Sequence, residues 1–283
     1  MLDSLIFKAQ RKIQKAINGF WGNLRGNRID TFWYLKNKNF GDLLNPDILK
    51  YYSLIPLNTS KSAAQVITAG SILQSLPNTF AGYIIGSGLI DERYKNLPKA
   101  KYLCVRGALT RERLNAPDTT PLGDPGLLVS KIYPGQRQKR FTLGIVPHYA
   151  DKGDSRIKKL SQSYPKDIKV INVQRKPKKV VREIDRCEYI LSSSLHGLIT
   201  ADALRIPNGW LVLSDKVRGA GFKFYDYTSA INRQIKPIKI TGTERLSQLI
   251  EMIPPLDCQI TEIQENLDLI FRSFVKQYLS KAQ

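Results

Sequence analysis

The chain has 283 residues and a mass of 32.1 kDa, a length that suits one large domain or two of ordinary size. Its hydrophobic content of 42% excludes global disorder, and three widely spaced cysteines without a CxxC pair argue against a disulfide framework or a zinc knuckle and for a reducing compartment. The 44 Lys and Arg residues outnumber the 24 Asp and Glu, and the resulting net charge of +20 favours a polyanionic partner such as nucleic acid, anionic lipid or a phosphorylated substrate.

Residues 1–28 have the pattern of a basic amphipathic helix. Apolar residues recur at helical spacing from Leu2 to Leu24. The basic residues lie mostly off that stripe: Lys8, Arg11, Lys12 and Lys15. Two interpretations stay open, a helix docked on the protein's own core or a helix lying on an anionic membrane surface. Since no apolar stretch reaches the roughly 18–20 residues that span a bilayer and no secretory signal is recognised, we expect a cytoplasmic protein, either free or peripheral on the inner face of the cell membrane.

After residue 28, short apolar runs alternate with helical or polar segments. The predicted strands of the first series cover 29–35, 65–69, 82–85 and 101–105, and the predicted helices cover 46–52 and 108–114. The predicted strands of the second series cover 141–146, 168–173, 189–192 and 209–213, and the predicted helices cover 156–163, 178–186 and 195–204. Such alternation is typical of parallel sheets with helices on both faces.

The sequence therefore predicts an α/β protein with two Rossmann-like domains that face a cleft. We place the domains at 29–132 and 141–240, joined by a polar linker near 131–140, and we expect helices over 241–283.

Candidate site residues follow the strands of the first series, because ligands of open α/β sheets bind beyond the carboxyl ends of the strands. Asp42 and Asn45 follow the first strand and either cap the next helix or face the cleft. Gly70 and Ser87 lie in small-residue loops that form either tight turns or anion sites. Arg106 directly follows an apolar strand, so its guanidinium needs either a carboxylate in a salt bridge or a bound anion.

Both histidines of the chain fall at strand ends of the second series. His148 ends the first of these strands, and His196 follows an apolar run and three serines. Two histidines at such positions favour a functional role. A polar, glycine-bearing loop over 214–227, rich in cations, follows the last strong strand.

Seven segments occur in an order that resembles the polysaccharide pyruvyltransferases, most closely the bacterial exopolysaccharide enzymes. The segments are Asn-Phe-Gly-Asp-Leu-Leu-Asn at 39–45, Gly-Ser-Gly at 86–88, Val-Arg-Gly-Ala-Leu-Thr at 105–110, Leu-Gly-Asp-Pro-Gly-Leu-Leu at 122–128, Val-Pro-His-Tyr at 146–149, Ser-Ser-Leu-His-Gly at 193–197 and Lys-Phe-Tyr-Asp-Tyr at 223–227. The resemblance runs from about residue 30 to residue 230.

The resemblance implies a fold similar to two-domain GT-B glycosyltransferases and a transferase that moves pyruvate from phosphoenolpyruvate onto a sugar. The acceptor would be a cell-surface polysaccharide or its lipid-linked precursor, the product a pyruvate ketal, and phosphate would leave. We expect no cofactor, because phosphoenolpyruvate is a co-substrate, and no metal. The family's histidine matches His196, and its arginine after a strand matches Arg106. Some members have an arginine where this chain has Ser194, which leaves another cation to recognise phosphoenolpyruvate.

We assign His196 as the acid–base group, held at a helix N-terminus that lowers its pKa and favours the neutral form. The expected phosphoenolpyruvate-binding residues are Arg106, Ser193, Ser194, Gly197, Arg218 and Lys223, with Lys216 as a further cation. The expected acceptor-binding residues are Asp42, Asn45, Gly70, Ser87 and His148.

Two other classes of protein remain as alternatives. A GT-B glycosyltransferase would use the same cleft for a nucleotide sugar, although no obvious acidic ribose-binding residue occurs in the second domain. A nucleic-acid-binding protein fits the net charge, but the basic residues are scattered and no recognised nucleic-acid motif is present.

Overall fold

The computed structural model describes residues 26–36, 38–135, 138–219, 221–256 and 259–281, together with positions 13, 16, 17 and 19. The predicted amphipathic helix over 2–24 thus lies mostly outside the described residues. At the four described positions the backbone is helical, and the side chains of Ile13 and Ile17 are exposed.

The first sheet is parallel, with strand order β2-β1-β3-β4-β5. Its strands are β1 (Arg28–Thr31), β2 (Ile55–Asn58), β3 (Val66–Ile67), β4 (Tyr83–Ile85) and β5 (Lys101–Cys104). Sequence patterns indicate all of these except β2. This strand carries Pro56 and lies at the edge of the sheet, where a residue without an N–H is tolerated.

Short helices follow these strands. They are α1 (Phe40–Leu43), α2 (Asn45–Tyr51), α3 (Ala108–Arg113) and α4 (Val129–Ile132), with 3-10 helices at Leu73–Ser75 and Pro125–Leu128. Pro46 occupies the first turn of α2, where a missing N–H costs nothing. The predicted strand over 65–69 shortens to β3 because the chain turns away at Gly70, whose φ of +117° favours glycine.

The second sheet is also parallel, with strand order β7-β6-β8-β9. Its strands are β6 (Phe141–Val146), β7 (Ile168–Val170), β8 (Cys187–Ser192) and β9 (Asn208–Trp210). The helices of this half are α5 (Ser155–Ser163), α6 (Pro177–Ile184), α7 (Leu195–Ala203) and α8 (Phe222–Ala230), with a 3-10 helix at Tyr149–Asp151. The prediction of a loop over 214–227 is wrong in its second half, where α8 begins at Phe222. Tertiary contacts of Phe224 and Asp226, both buried, stabilise this aromatic-rich helix.

The chain ends with α9 (Leu246–Glu251) and α10 (Ile260–Ser280). Helix α10 returns to the first half of the molecule. The rings of Phe274 and Tyr83 lie 5.1 Å apart, and Tyr278 Oη donates to the carbonyl of Arg28 at 2.7 Å. Tyr52 Oη donates to Asp268 Oδ1 at 2.7 Å.

The predicted α/β class is confirmed as two parallel sheets of five and four strands with helices. A continuous hydrophobic cluster joins the halves, since Ile29 and Phe40 share it with Val146, Ile190 and Phe271. The division into two domains at 132 and 141 and the likeness to GT-B enzymes stay predictions.

Candidate active site between the two sheets

A cleft of about 570 Å³ lies where the carboxyl ends of both sheets meet. Seven of the residues predicted from the sequence line it: Asp42, His148, Ser194, His196, Lys216, Arg218 and Lys223. Asp42 follows β1, His148 follows β6, and His196 follows β8, so the parallel strands bring together residues that are distant in the chain. This placement agrees with the rule that ligands of α/β sheets bind at the carboxyl ends of the strands.

His196 lies in the first turn of α7 and is only 6% exposed. Its Nε2 atom is buried and has no hydrogen-bond partner among the described residues. Burial lowers the pKa of the imidazole to about 3, and the positive charges of Arg106 and Lys223 act in the same direction. His196 is therefore neutral near pH 7, as expected from the sequence, although burial rather than the helix N-terminus is the main cause.

Gly41 makes room for the His196 ring. A Cβ built on Gly41 would overlap Nδ1 of His196, so no larger residue fits without moving the imidazole. Phe40 meets the same ring edge to face, with centroids 6.2 Å apart. The Asn-Phe-Gly-Asp segment thus forms the wall against which the histidine packs.

Asp124 is a site residue that the sequence reasoning missed, although it lies in the quoted segment 122–128. It is fully buried, and its Oδ1 accepts the backbone N–H of Gly126 at 2.8 Å. The same oxygen lies 4.0 Å from His196 Nε2. Burial raises the pKa of this carboxyl to about 6.

Arg106 has no exposed surface, and its guanidinium is engaged inside the protein. Nε donates to Asp226 Oδ2 at 2.8 Å, and the two terminal nitrogens donate to Ser71 Oγ and the carbonyl of Leu89, each at 2.6 Å. A Cβ on Gly88 would overlap the guanidinium. The salt bridge, which was one of the two interpretations of Arg106, is therefore present, and direct contact with a bound anion stays a prediction.

Asp226 was not singled out from the sequence. Its Oδ1 accepts the N–H of Thr110 at 2.6 Å, and its Oδ2 accepts the Thr110 hydroxyl at 2.7 Å in addition to Arg106. Gly107 lies so close that a Cβ there would overlap the carbonyl of Asp226. This cluster ties the end of β5 to α8 and so fixes the helix that carries Lys223.

Lys223 lines the cleft from the first turn of α8 and is 6% exposed. Burial lowers its pKa to about 8, with Arg106 acting in the same direction and Asp42 and Asp151 opposing it. Within the described part of the chain, no carboxylate lies within 4.0 Å of its Nζ. Asp42, on the opposite wall, has its own pKa raised to about 6 by burial. Lys223 is thus a buried cation whose hydrogen bonds are available to a ligand.

The serines before α7 divide between two roles. Ser193 Oγ donates to Asp151 Oδ2 at 2.7 Å and accepts the N–H of His148 at 2.8 Å, so it holds the loop after β6 in place. Ser194 occupies the N-cap position of α7, makes no side-chain cap hydrogen bond and lines the cleft. Of the two predicted serines, only Ser194 therefore lines the cleft.

His148 enters the cleft as a neutral side chain. Its Nδ1 accepts the N–H of Ala150 at 3.2 Å, which places the ring hydrogen on Nε2. Burial lowers its pKa to about 4, assisted by the charge of Lys223. His148 can therefore donate a hydrogen bond from Nε2 to a ligand.

Four other predicted site residues serve the fold. Asn45 is fully buried and its Nδ2 donates to the carbonyls of Asp42 and Ala69 at 2.9 Å, while Ser87 donates to the carbonyl of Gly70 at 2.7 Å. These two side chains donate to backbone carbonyls and do not line the cleft, and their assignment as acceptor contacts stays a prediction. Gly70 lets Asp42 approach, and a Cβ on Gly197 would overlap Ser192 Oγ.

Throughout the ranges described above, no group of three His, Cys, Asp or Glu side chains is arranged to hold a metal ion. In the same part of the chain, no helix combines the length and apolar character needed to cross a membrane.

Comparison with known proteins identifies a matching family and two relatives of this chain. The model of a family described as polysaccharide pyruvyl transferase matches residues 22–215. The succinoglycan biosynthesis protein ExoV of Rhizobium meliloti (strain 1021) is 26% identical over 233 residues, which are 78% of this chain and 70% of that protein. The uncharacterized protein L143 of Acanthamoeba polyphaga mimivirus is 34% identical over 157 residues, or 52% of this chain, and the match spans about half of that relative's length, 53%. No solved structure matches the chain.

Proposed function

The chain belongs to the polysaccharide pyruvyl transferase family, and we propose on this basis that it transfers pyruvate from phosphoenolpyruvate to a sugar of a cell-surface polysaccharide or its lipid-linked precursor. The product is a pyruvate ketal, and phosphate is released. The observation that carries the proposal is a cleft between both sheets that is lined by the neutral His196 and by Lys223, a buried cation with no carboxylate within 4.0 Å among the described residues.

Phosphoenolpyruvate carries a phosphate and a carboxylate, and the cleft offers partners for such an anion. Lys223 supplies a desolvated ammonium group, and Arg218 and Lys216 stand at the rim. Ser194 and the N-terminus of the nine-residue helix α7 add a hydroxyl and a positive dipole end. These groups support phosphate binding next to His196.

Ketal formation requires two proton movements. The methylene carbon of phosphoenolpyruvate gains one proton. Two sugar hydroxyls each lose a proton as their oxygens bond to the central carbon of phosphoenolpyruvate. The bond between that carbon and the phosphate oxygen breaks. One hydroxyl proton is balanced by the new methyl group and the other leaves with phosphate. A neutral imidazole is suited to accept a proton from the attacking hydroxyl and to pass it on.

The direct test is phosphate release from phosphoenolpyruvate with a panel of lipid-linked and nitrophenyl glycosides. We expect release that depends on both substrates, with the ketal identified by mass spectrometry. The competing sequence interpretation, a nucleotide-sugar glycosyltransferase, predicts instead a rise in melting temperature with UDP-sugars and none with phosphoenolpyruvate, since a ligand that binds the folded state stabilises it. That result would overturn the proposal.

We further propose that a lipid-linked acceptor brings the enzyme to the inner face of the cell membrane, with the segment before Gly26 as the attachment. Ile13 and Ile17 are exposed, and the segment is rich in Lys and Arg. Each basic residue near an anionic surface adds about 1 kcal/mol of binding, which decreases with salt. We expect the full chain to sediment with vesicles containing anionic lipid at low salt. A form that starts at Gly26 should bind much less while keeping activity on a soluble acceptor, and equal binding of both forms would contradict this part of the proposal.

A further inference from the structure

Two neighbouring side chains, His196 and Asp124, each have a buried polar atom without a hydrogen-bond partner among the described residues. His196 Nε2 is buried and unpartnered within the described residues, and the same is true of Asp124 Oδ2. The closest approach of the two side chains is 4.0 Å, from Nε2 to Asp124 Oδ1. Because an unsatisfied buried polar atom costs about 1–3 kcal/mol, native structures retain few of them. The pair therefore requires an explanation.

The surrounding elements hold this pair in place. Asp124 caps the 3-10 helix Pro125–Leu128, and this helix packs directly on α7. A Cβ on Gly126 would meet Ile199 at 2.9 Å and Cδ2 of His196 at 3.5 Å, so glycine permits the close approach. A displacement of about 1 Å would bring Nε2 and Oδ1 to hydrogen-bond distance.

We propose that Asp124 is the positioning residue of His196. Its carboxylate accepts a hydrogen bond from Nε2–H, which fixes the imidazole tautomer and leaves Nδ1, beside Gly41, to exchange a proton with the substrate. A neutral imidazole carries its hydrogen on one nitrogen only, so an acceptor at Nε2 determines that Nδ1 has the free lone pair. When Nδ1 takes up the proton, the carboxylate also stabilises the imidazolium. The role of Nδ1 in proton exchange with the substrate depends on the proposed pyruvyl transfer. The assignment of the hydrogen to Nε2 does not depend on it.

The simpler role for Asp124 is the cap alone, in which Oδ1 accepts the Gly126 N–H. A cap needs one oxygen and no charge, so Asp124→Asn preserves it while removing the carboxylate. Other titratable groups surround the pair from β5 and α8: Cys104, Arg106, Lys223, Asp226 and Tyr227. They are unchanged in this variant, so a difference in titration reports the loss of the Asp124 charge. Asp118→Asn, at an exposed position of the same half, is the matched control.

The first experiment needs no enzymatic activity. Because the chain has only two histidines, His148→Gln leaves the ring nitrogens of His196 as the only imidazole signals in a 15N NMR spectrum. We expect the Nε2–H tautomer at neutral pH in this background, and a shift toward Nδ1–H when Asp124→Asn is added. A predominant Nδ1–H tautomer in the protein that retains Asp124 would overturn the proposal even if the Asp124 variant did not fold.

The second experiment measures kinetics. For Asp124→Asn we expect kcat to fall by at least about tenfold with little change in the KM for phosphoenolpyruvate, as for loss of a group that acts through an acid–base residue. The limb of the kcat–pH profile that reports His196 should move to lower pH, since the imidazolium loses its anionic partner. A lower melting temperature with an unchanged profile would assign Asp124 to the cap alone. If the unmodified protein releases no phosphate with any acceptor, the proposed function fails, and the NMR result still decides the role of Asp124.

Discussion

The carboxyl ends of the two sheets meet at one cleft but use their polar side chains differently. On the first sheet, Asn45, Ser87 and Arg106 are fully buried and direct their hydrogen bonds to the protein itself. On the side of the second sheet, His196 is almost as buried, and its Nε2 has no hydrogen-bond partner among the described residues. Lys223 is equally buried, and no described carboxylate lies within 4.0 Å of its ammonium group. Satisfied buried groups make one wall rigid, whereas unsatisfied ones are costly unless a ligand completes them. Arg106 and His196 differ in this way, and the difference marks His196 as a group that a ligand can complete.

The largest expected effect is a decrease in the free energy of unfolding when the ion pair between Arg106 and Asp226 is broken. Arg106→Met leaves the Asp226 carboxylate buried without its cation, a loss of the kind that costs about 3–5 kcal/mol. Urea denaturation of Arg106→Met should show this decrease in the free energy of unfolding. The double variant Arg106→Met, Asp226→Leu should recover part of it, because no unpaired charge remains. A decrease below about 1 kcal/mol in the single variant would mean that the wall does not depend on this ion pair.

The next effect is expected on turnover. His196→Ala should lower the rate of phosphate release by roughly a hundredfold or more, as for loss of a general acid–base group, with only a modest change in melting temperature. Circular dichroism provides the folding control. An alanine variant with near-normal turnover would remove His196 from the mechanism.

Replacing Lys223 should weaken the binding of phosphoenolpyruvate without lowering the stability of the protein. Lys223→Met is expected to raise the KM for phosphoenolpyruvate about tenfold or more, because a charge-assisted contact to the substrate is lost. The same substitution should leave stability unchanged or raise it, since it removes a buried charge for which the described residues supply no carboxylate within 4.0 Å. Arg106→Met, which loses stability, is the natural contrast. Reduced stability of Lys223→Met would show that the ammonium has a partner in the folded protein.

The protonation of Lys223 gives a pH signature. Its pKa is about 8 in the folded protein, against 10.5 for an unperturbed lysine side chain, so the unfolded chain binds more protons between these values. The charge therefore destabilises the fold below pH 8, and this cost disappears as the pH rises toward 10.5. The stability difference between the unmodified protein and Lys223→Met should shrink across that window. The KM for phosphoenolpyruvate should rise above pH 8, and Lys223→Arg should move that rise to higher pH.

The smallest of these effects is expected from the glycine that borders the histidine. Gly41→Ala places a methyl group where His196 Nδ1 now lies, so the ring must shift. Turnover should fall by about tenfold, because small displacements of an acid–base group are costly. Gly19→Ala is a matched control, since a Cβ there makes an ordinary contact with Leu57 at 3.7 Å and no closer one with any other described residue. Equal turnover of both variants would show that the ring adapts without loss.

Hydrophobic periodicity and the polar residues that follow the strands were sufficient to predict most strands and part of the cleft lining. They identified eight of the nine strands of the described chain and placed both histidines and Lys223 near a common edge. They missed β2, an edge strand with a proline, and α8, an aromatic-rich helix that depends on contacts with Arg106 and Thr110. Local propensity does not contain such long-range contacts.

The site was harder to predict for the same reason. Whether Arg106 meets a ligand or Asp226 depends on a residue 120 positions away in the chain. Asp124 gives no local signal, because a buried aspartate next to proline reads as a helix cap. The glycines at 41, 88 and 107 are needed for more than turns, since each makes room for a specific side chain or carbonyl of the site. Their turn propensity alone does not predict this.

The return of α10 to the first sheet has a consequence for folding during synthesis on the ribosome. The hydrogen bond from Tyr278 to Arg28 joins residues 250 positions apart, and Phe274 covers Tyr83. At roughly 5–20 residues per second, a ribosome completes the first strand about 10–50 seconds before it makes the helix that covers it. During that interval the nascent first half displays an apolar face that the mature protein hides. The final closure of this fold therefore waits for residues 260–280, and until they are made the first sheet exposes apolar surface of the kind that chaperones bind.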